Sequence, residues 1–188
     1  MQFLDKTIIL DRELSDLDIF TLDFVNILKK HTKYVIVSGY VSILLGRARA
    51  SEDIDLIIPK MDYLEFEKLI NDLKKNDFYC LNQEENKDIY EYITDKIAVR
   101  FARNGEVIPN MEVKFAKNKT DEIVLEDNIL IKINEKELVV SNLELQIAFK
   151  EKVLKSPKDL EDARHLRNIA KNLDENKIKK YEEILNGI

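Results

Sequence analysis

Ser38-Gly39-Tyr40-Val41, then Gly46, then Arg49-Ala50-Ser51-Glu52-Asp53-Ile54-Asp55-Leu56-Ile57-Ile58 is the stretch that decides how this chain is read. It follows Tyr34-Val35-Ile36-Val37, an apolar and β-branched run that predicts a strand. Gly39 comes at once, then a helix-like stretch from Val41 to Leu45 ended by Gly46, then a loop from Arg47 to Glu52. Asp53 to Ile58 alternates like a strand and stops at Pro59. Residues two apart in a strand share a face and lie roughly 7 Å apart along the chain. Asp53 and Asp55 therefore project together, while Ile54, Leu56 and Ile58 turn to the core. Two carboxylates on one rigid strand suit Mg²⁺, which takes hard oxygen ligands and completes its shell with waters and substrate phosphates. Gly39 would let backbone amides approach a phosphate closely, with a helix N-terminus adding favourable dipole. Arg49 and Ser51 can supply phosphate or sugar contacts, and Arg47 lies in the same loop.

Working outward, Ser15 can cap a helix carrying Leu17, Ile19, Phe20, Phe24, Val25, Ile27 and Leu28 at mostly helical spacing. Residues 62 to 75 read as an amphipathic helix, and Phe78 to Leu81 as a strand. Residues 82 to 95 are polar, with room for a short helix. Ile97 to Phe101 and Met111 to Phe115 predict a hairpin, with turn signals at Asn104-Gly105 and Pro109-Asn110. Ile129 to Ile133 and Leu138 to Val140 predict a second, turning at Asn134-Glu135. After Val140 the composition turns helical. Ser141 with Glu144 predicts a capping box. Ser156-Pro157-Lys158-Asp159 is a further start signal, and Asp174 can cap a last helix ending near Gly187. The expected class is α+β: a mixed sheet flanked by helices over residues 1–140, then a C-terminal helical lobe over 141–188, with no Gly/Ser/Pro-rich linker between them.

Bulk composition narrows the function. The chain has 188 residues, 45% apolar, with a formal charge of −6. That is enough to build a core, and it argues against wholesale disorder. An acidic chain is a poor default binder of nucleic acid, whose phosphates need clustered Lys and Arg. A local patch, such as Lys114, Lys117 and Lys119, would have to gather near the site to change that. Cys80 is the single cysteine and sits in an apolar run, so it reads as a small buried hydrophobe. The start, Met1 to Leu10, is broken by Asp5 and Lys6, unlike a signal peptide. No apolar run approaches membrane-spanning length, so a cytoplasmic protein is expected. His31 and His165 lack partners at metal-ligand spacing, and Glu84-Glu85 and Glu182-Glu183 read as solvated faces.

Acid–apolar alternation alone is what any half-exposed strand shows. The order and spacing from Ser38 to Leu56 carry more, and over about twenty residues they resemble the polymerase-beta-like nucleotidyltransferase superfamily, with the AbiEii-type branch of toxin–antitoxin and abortive-infection systems as the nearest. The resemblance implies transfer of a nucleoside monophosphate from a triphosphate such as ATP. It implies that Asp53, Asp55 and a third acid on a neighbouring strand are catalytic and bind Mg²⁺, with Mn²⁺ as a substitute. The acceptor is a protein side chain, a tRNA end or a small molecule, and a cognate antitoxin is an expected partner. Such families usually have two adjacent glycines; here Ser38 stands at the first, which keeps a noncatalytic nucleotide- or protein-binding member of the same fold open as the alternative.

Glu112 is the candidate third acid. Met111, Val113 and Phe115 form one apolar face, leaving Glu112 and Lys114 on the other. That local pattern fits a solvent-facing Glu beside a Lys equally well; the resemblance selects the catalytic role. Lys150 followed by Lys158-Asp159 and Asp162 resembles a Lys and Lys-Asp-x-x-Asp pattern in the helical part of the AbiEii-type families. It implies that Lys150 and Asp159 join Ser38, Gly39, Arg49 and Ser51 in binding the nucleotide, although surface helices carry such residues constantly. Arg100 and Arg103 are further candidates for phosphate, equally explained as solvated strand charges.

Overall fold

The structure, a computed structural model, describes residues 1–185. In chain order these form β1 (Gln2–Leu4), β2 (Thr7–Leu10), α1 (Asp16–Leu28), β3 (Val35–Val37), α2 (Gly39–Leu44), β4 (Asp53–Ile58), α3 (Tyr63–Lys75), β5 (Phe78–Cys80) and α4 (Asn86–Thr94). Then come β6 (Val99–Arg103), β7 (Asn110–Phe115), α5 (Lys119–Glu126), β8 (Asn128–Ile133), β9 (Lys136–Ser141), α6 (Leu143–Phe149), α7 (Pro157–Ile169) and α8 (Glu175–Leu185). α6 runs on through a π-helical turn, Lys150–Leu154. The expected end of the last helix near Gly187 lies outside the described residues.

All nine strands join one mixed sheet in the order β1-β2-β8-β9-β3-β4-β7-β6-β5. The centre decides the site. β3 pairs antiparallel with β4, and β4 pairs parallel with β7. In that register Asp53 lies opposite Asn110, and Asp55 opposite Glu112. Ile54, Leu56 and Ile58 are buried on the other face, as the alternation requires. Phe24, Phe66, Phe78, Phe101 and Phe115 build much of the core beneath this half of the sheet, and Leu143, Ile147, Leu166 and Ile178 from the C-terminal helices join the same cluster.

The expected α+β class is therefore the observed one, and both hairpins form: β6–β7 and β8–β9, the latter turning where Asn134 takes a positive φ of 53°. One expected cap moves. Ser141 ends β9, and the side chain of Asn142 accepts the amides of Glu144 and Leu145. Ser141 is still paired with Asn128 across the hairpin, so it cannot leave the ladder to cap. The β1–β2 hairpin and α5 were not legible. β2 is four residues long and pairs parallel with β8, more than a hundred residues away, so no local signal marks it. α5 is a single short helix started by the Asn118 side chain on the amide of Asp121.

Candidate active site

α1 begins with a capping box, Ser15 with Asp18, and Asp18 does more than cap. Its carboxylate is buried and accepts hydrogen bonds from Arg12 at 2.6 Å and from the Tyr40 hydroxyl at 2.6 Å. Burial works to raise the Asp18 pKa, but Arg12, Tyr40 and Ser15 outweigh it and hold the carboxyl below the usual range. Tyr40 follows Gly39, so this cluster ties the β3–α2 turn to α1.

That turn is strained. Ser38 has φ 65° and ψ −138°, a region that glycine enters freely and other residues enter at a cost of about 1–3 kcal/mol. The residue at the usual glycine position thus keeps a glycine-like backbone. Because Val37 pairs with Asp55 across β3–β4, Ser38 follows directly on the partner of Asp55. α2 has only six residues, so its dipole adds little. Gly39 is required for a different reason: a Cβ there would lie 2.9 Å from two nitrogens of the Arg49 guanidinium. Arg49 cannot simply move, because it donates to Asp162 at 2.6 Å.

Asp162 is the hub of a closed ionic cluster. It is fully buried on α7 and takes Arg47, Arg49 and, at 2.8 Å, the Lys150 ammonium. Arg47 also reaches Glu161 at 2.5 Å, and Lys150 reaches Asp159 at 3.4 Å. Burial lowers the pKa of both Arg49 and Lys150. Lys150 and Asp159 are thus placed behind Arg49, with Lys150 enclosed and facing carboxylates. Ser51 turns its hydroxyl to the carbonyl of Asp53 at 2.9 Å.

The acids lie beyond this cluster on β4 and β7. Asn110 donates to Asp53 at 2.7 Å. Lys114 sits between the other two acids, 3.2 Å from Asp55 and 2.7 Å from Glu112, and Arg100 holds the second oxygen of Glu112 at 3.0 Å. Burial, with the charge of Glu112, raises the Asp55 pKa against the opposing pull of Lys114 and Ser38. Burial also works to raise Glu112, but Lys114 and Arg100 win and lower it. The structure therefore brings Asp53, Asp55, Glu112 and Ser38 to one face, with Gly39 and Arg49 at its border. Arg103 is turned to Asp23 at 2.5 Å and over the Phe78 ring.

A cleft of about 640 Å³ opens between α1, the Arg49–Glu52 loop and the β6–β7 turn; Arg49 and Ser51 line it, whereas Asp53, Asp55 and Glu112 do not. Its walls mix Ile19, Ile108 and Pro109 with Asp16, Glu52 and Glu106. Arg49 and Arg103 also line it, but both are already ion-paired.

No protein-family model matches the chain, and no curated protein matches its sequence. Among solved structures it is similar to an antigenic nucleotidyltransferase-like protein from Paracoccidioides brasiliensis, with a TM-score of 0.54 and 16% identity over 93% of this chain and 89% of that one. The chain shares its mixed α+β fold with that nucleotidyltransferase-like protein. The antibiotic-resistance factor ANT(2'')-Ia is a more distant likeness, with a TM-score of 0.49 and 14% identity over 92% of this chain and 94% of that one. At such identities the likeness is one of fold, and the chemistry has to be argued from this chain's own residues.

On that fold, Asp53, Asp55 and Glu112 offer the hard oxygens a Mg²⁺ site needs, and the buried side-chain oxygen of Asn110 has no hydrogen-bond partner although its amide holds Asp53. The donor set fits the ion. Among the described residues no three acid, imidazole or thiol side chains already converge as a metal cage, and Lys114 stands between two of the three acids. Asn110 is the site residue that sequence reasoning missed; its only signal was its position two residues before Glu112 on the same face. Among the described residues no helix is long and apolar enough to cross a membrane.

Proposed function

We propose that this chain is a Mg²⁺-dependent nucleotidyltransferase that moves a nucleoside monophosphate from a nucleoside triphosphate to a hydroxyl acceptor. The observation that carries it is the meeting of Asp53, Asp55 and Glu112 on one face of the sheet, beside the Ser38-Gly39 turn. These three acids would hold Mg²⁺, or Mn²⁺ in its place. The bound ion supplies charge neutralisation for the phosphates and the leaving group. Ser38, Gly39, Arg49 and Ser51 bind the nucleotide. Lys150 and Asp159 act behind them, Lys150 by holding the carboxylate that orients Arg49. In the transfer the acceptor oxygen bonds the α-phosphorus, the bond from that phosphorus to the pyrophosphate oxygen breaks, and one of the acids takes the hydroxyl proton.

The cleft lined by the Arg49–Glu52 loop, which leads into Asp53, would admit the acceptor. Asp16, Glu52 and Glu106 have no ion-pair partner among the described residues, while both arginines of the cleft are engaged. Such a surface repels a polyanion, which favours a small molecule or a protein side chain over a tRNA end. Membership of the AbiEii-type branch, an abortive-infection or toxin–antitoxin setting and a cognate antitoxin belong to the same proposal and rest on the resemblance of residues 38–56.

The test is transfer of label. The protein is incubated with each α-labelled nucleoside triphosphate, with and without Mg²⁺, and offered tRNA, a protein lysate or a small-molecule extract. Label should enter a protein or small-molecule acceptor only with metal, and the Asp53→Ala, Asp55→Ala double variant should lose it. A second reading, a noncatalytic nucleotide binder of the same fold, is favoured by Ser38 in place of glycine and by Lys114 between the acids. Calorimetric binding of a triphosphate, lost in the double variant and without any labelled acceptor, would select it.

A further inference from the structure

We propose that Lys114 is a resident counter-ion of the Asp55–Glu112 pair, and that a divalent cation gains those two carboxylates only when the Lys114 ammonium swings out. The inference rests on the reading of these acids as cation ligands and adds a competitor built into the same strand.

The register creates the arrangement. Asp55 and Glu112 are direct partners on parallel strands, so two like charges face each other across one ladder step. Lys114 is two residues after Glu112 on the same face, and its ammonium reaches both: 2.7 Å to one oxygen of Glu112 and 3.2 Å to one oxygen of Asp55. One side chain thus neutralises the pair. A divalent cation drawn to Asp55 and Glu112 meets an ammonium already on the oxygens it needs. The second oxygen of Glu112 stays with Arg100, which keeps Glu112 oriented whichever cation it faces.

Lys114 is also able to leave. Its side chain is 38% exposed, against 1% for Lys150 in the closed cluster. Its charge sits on a flexible four-carbon stem that reaches the acids from the solvent side. When it departs, the triphosphate of an incoming nucleotide offers it new anionic partners near the same acids. Metal alone then meets the competitor, whereas metal arriving with a polyphosphate does not. The site would accordingly load both together and resist a stray ion.

Mn²⁺ titration of the full chain without nucleotide, followed by electron paramagnetic resonance of the free ion, tests this. Lys114→Met keeps the stem and removes the charge, and should bind Mn²⁺ about tenfold more tightly than the unaltered chain, because a competitor lowers apparent affinity by the fraction of free site it leaves. Lys114→Gln should move in the same direction and guards against a folding defect in the first variant. Asp55→Asn should lose the site. Equal or weaker binding in both Lys114 variants, with Asp55→Asn still abolishing it, would overturn the role of Lys114 and leave the metal reading standing. No Mn²⁺ binding in the unaltered chain or in either Lys114 variant would overturn both.

Discussion

Two groups of charges flank the Ser38-Gly39 turn, and they are built in opposite ways. Behind it, Asp162 collects Arg47, Arg49 and Lys150 in a largely enclosed cluster, with Asp162 and Lys150 buried. In front of it, Asp55, Glu112 and Lys114 form a trio that is partly open, with Lys114 more than a third exposed. The closed group is tied to one buried carboxylate, so it fixes the position from which Arg49 borders the site. The open group is held by a side chain that can be exchanged, so it can receive something. Sequence gives both groups the same Lys and Asp vocabulary; burial separates scaffold from site.

The comparison breaks first at Asp162. Asp162→Asn should take the shared anion from Arg47, Arg49 and the buried Lys150, leaving Arg49 without an ion-pair partner, and cost about 3 kcal/mol, since removing one partner of a buried ion pair typically costs about 3–5 kcal/mol and Arg47 and Lys150 keep Glu161 and Asp159. Urea unfolding measures it, and a loss below about 1 kcal/mol would mean that the cluster is not enclosed.

Asp18 ranks beside it, with about 3 kcal/mol expected for Asp18→Asn. It carries a pH signature. Its folded-state carboxyl lies below its ordinary value despite burial, because Arg12, Tyr40 and Ser15 prevail. Its contribution is therefore fully present above the unfolded carboxyl's pKa, about 3.9, and is lost as pH falls through the lowered folded value. Unfolding curves taken from pH 6 downward should show a stability loss below about pH 4 that Asp18→Asn lacks.

Smaller effects sharpen the contrast at the open site. Ser38→Gly should stabilise the fold by about 1 kcal/mol, because the φ of 65° costs serine and not glycine. Asp55→Asn should leave thermal stability at pH 7 within about 1 kcal/mol, or raise it, while abolishing function. Burial first, then Glu112, raises the Asp55 pKa, so the folded protein holds its proton more tightly than the unfolded chain and loses stability as pH rises through that window. Removing the charge removes that penalty. A large destabilisation in Asp55→Asn would place Asp55 with the scaffold charges.

Much of this was legible in the sequence where the signal is local. The period-two pattern of Asp53–Ile58, the hairpin turns at Asn104-Gly105 and Asn134-Glu135, and the Ser15 and Ser156 caps each lie within a few residues of what they specify. Glu112 as the third acid on a neighbouring strand was an inference from strand alternation and resemblance, and the register places it directly beside Asp55. What stayed hidden is long-range. The role of Asp162 depends on α7 packing against the Arg47–Arg49 loop, more than a hundred residues earlier. Lys114 read as one member of a surface lysine patch because sequence gives its face, not the distance from its ammonium to Asp55. Asn110 read as a turn residue and serves as the anchor of Asp53.

The most direct test of the central claim is a crystal structure with Mn²⁺ and a nonhydrolysable nucleoside triphosphate, read by anomalous diffraction. The account predicts a manganese peak against Asp53, Asp55 and Glu112, phosphates at the Ser38-Gly39 turn and Arg49, and Lys114 turned away from Asp55. A peak elsewhere, or a bound triphosphate with Lys114 still bridging Asp55 and Glu112, would contradict it.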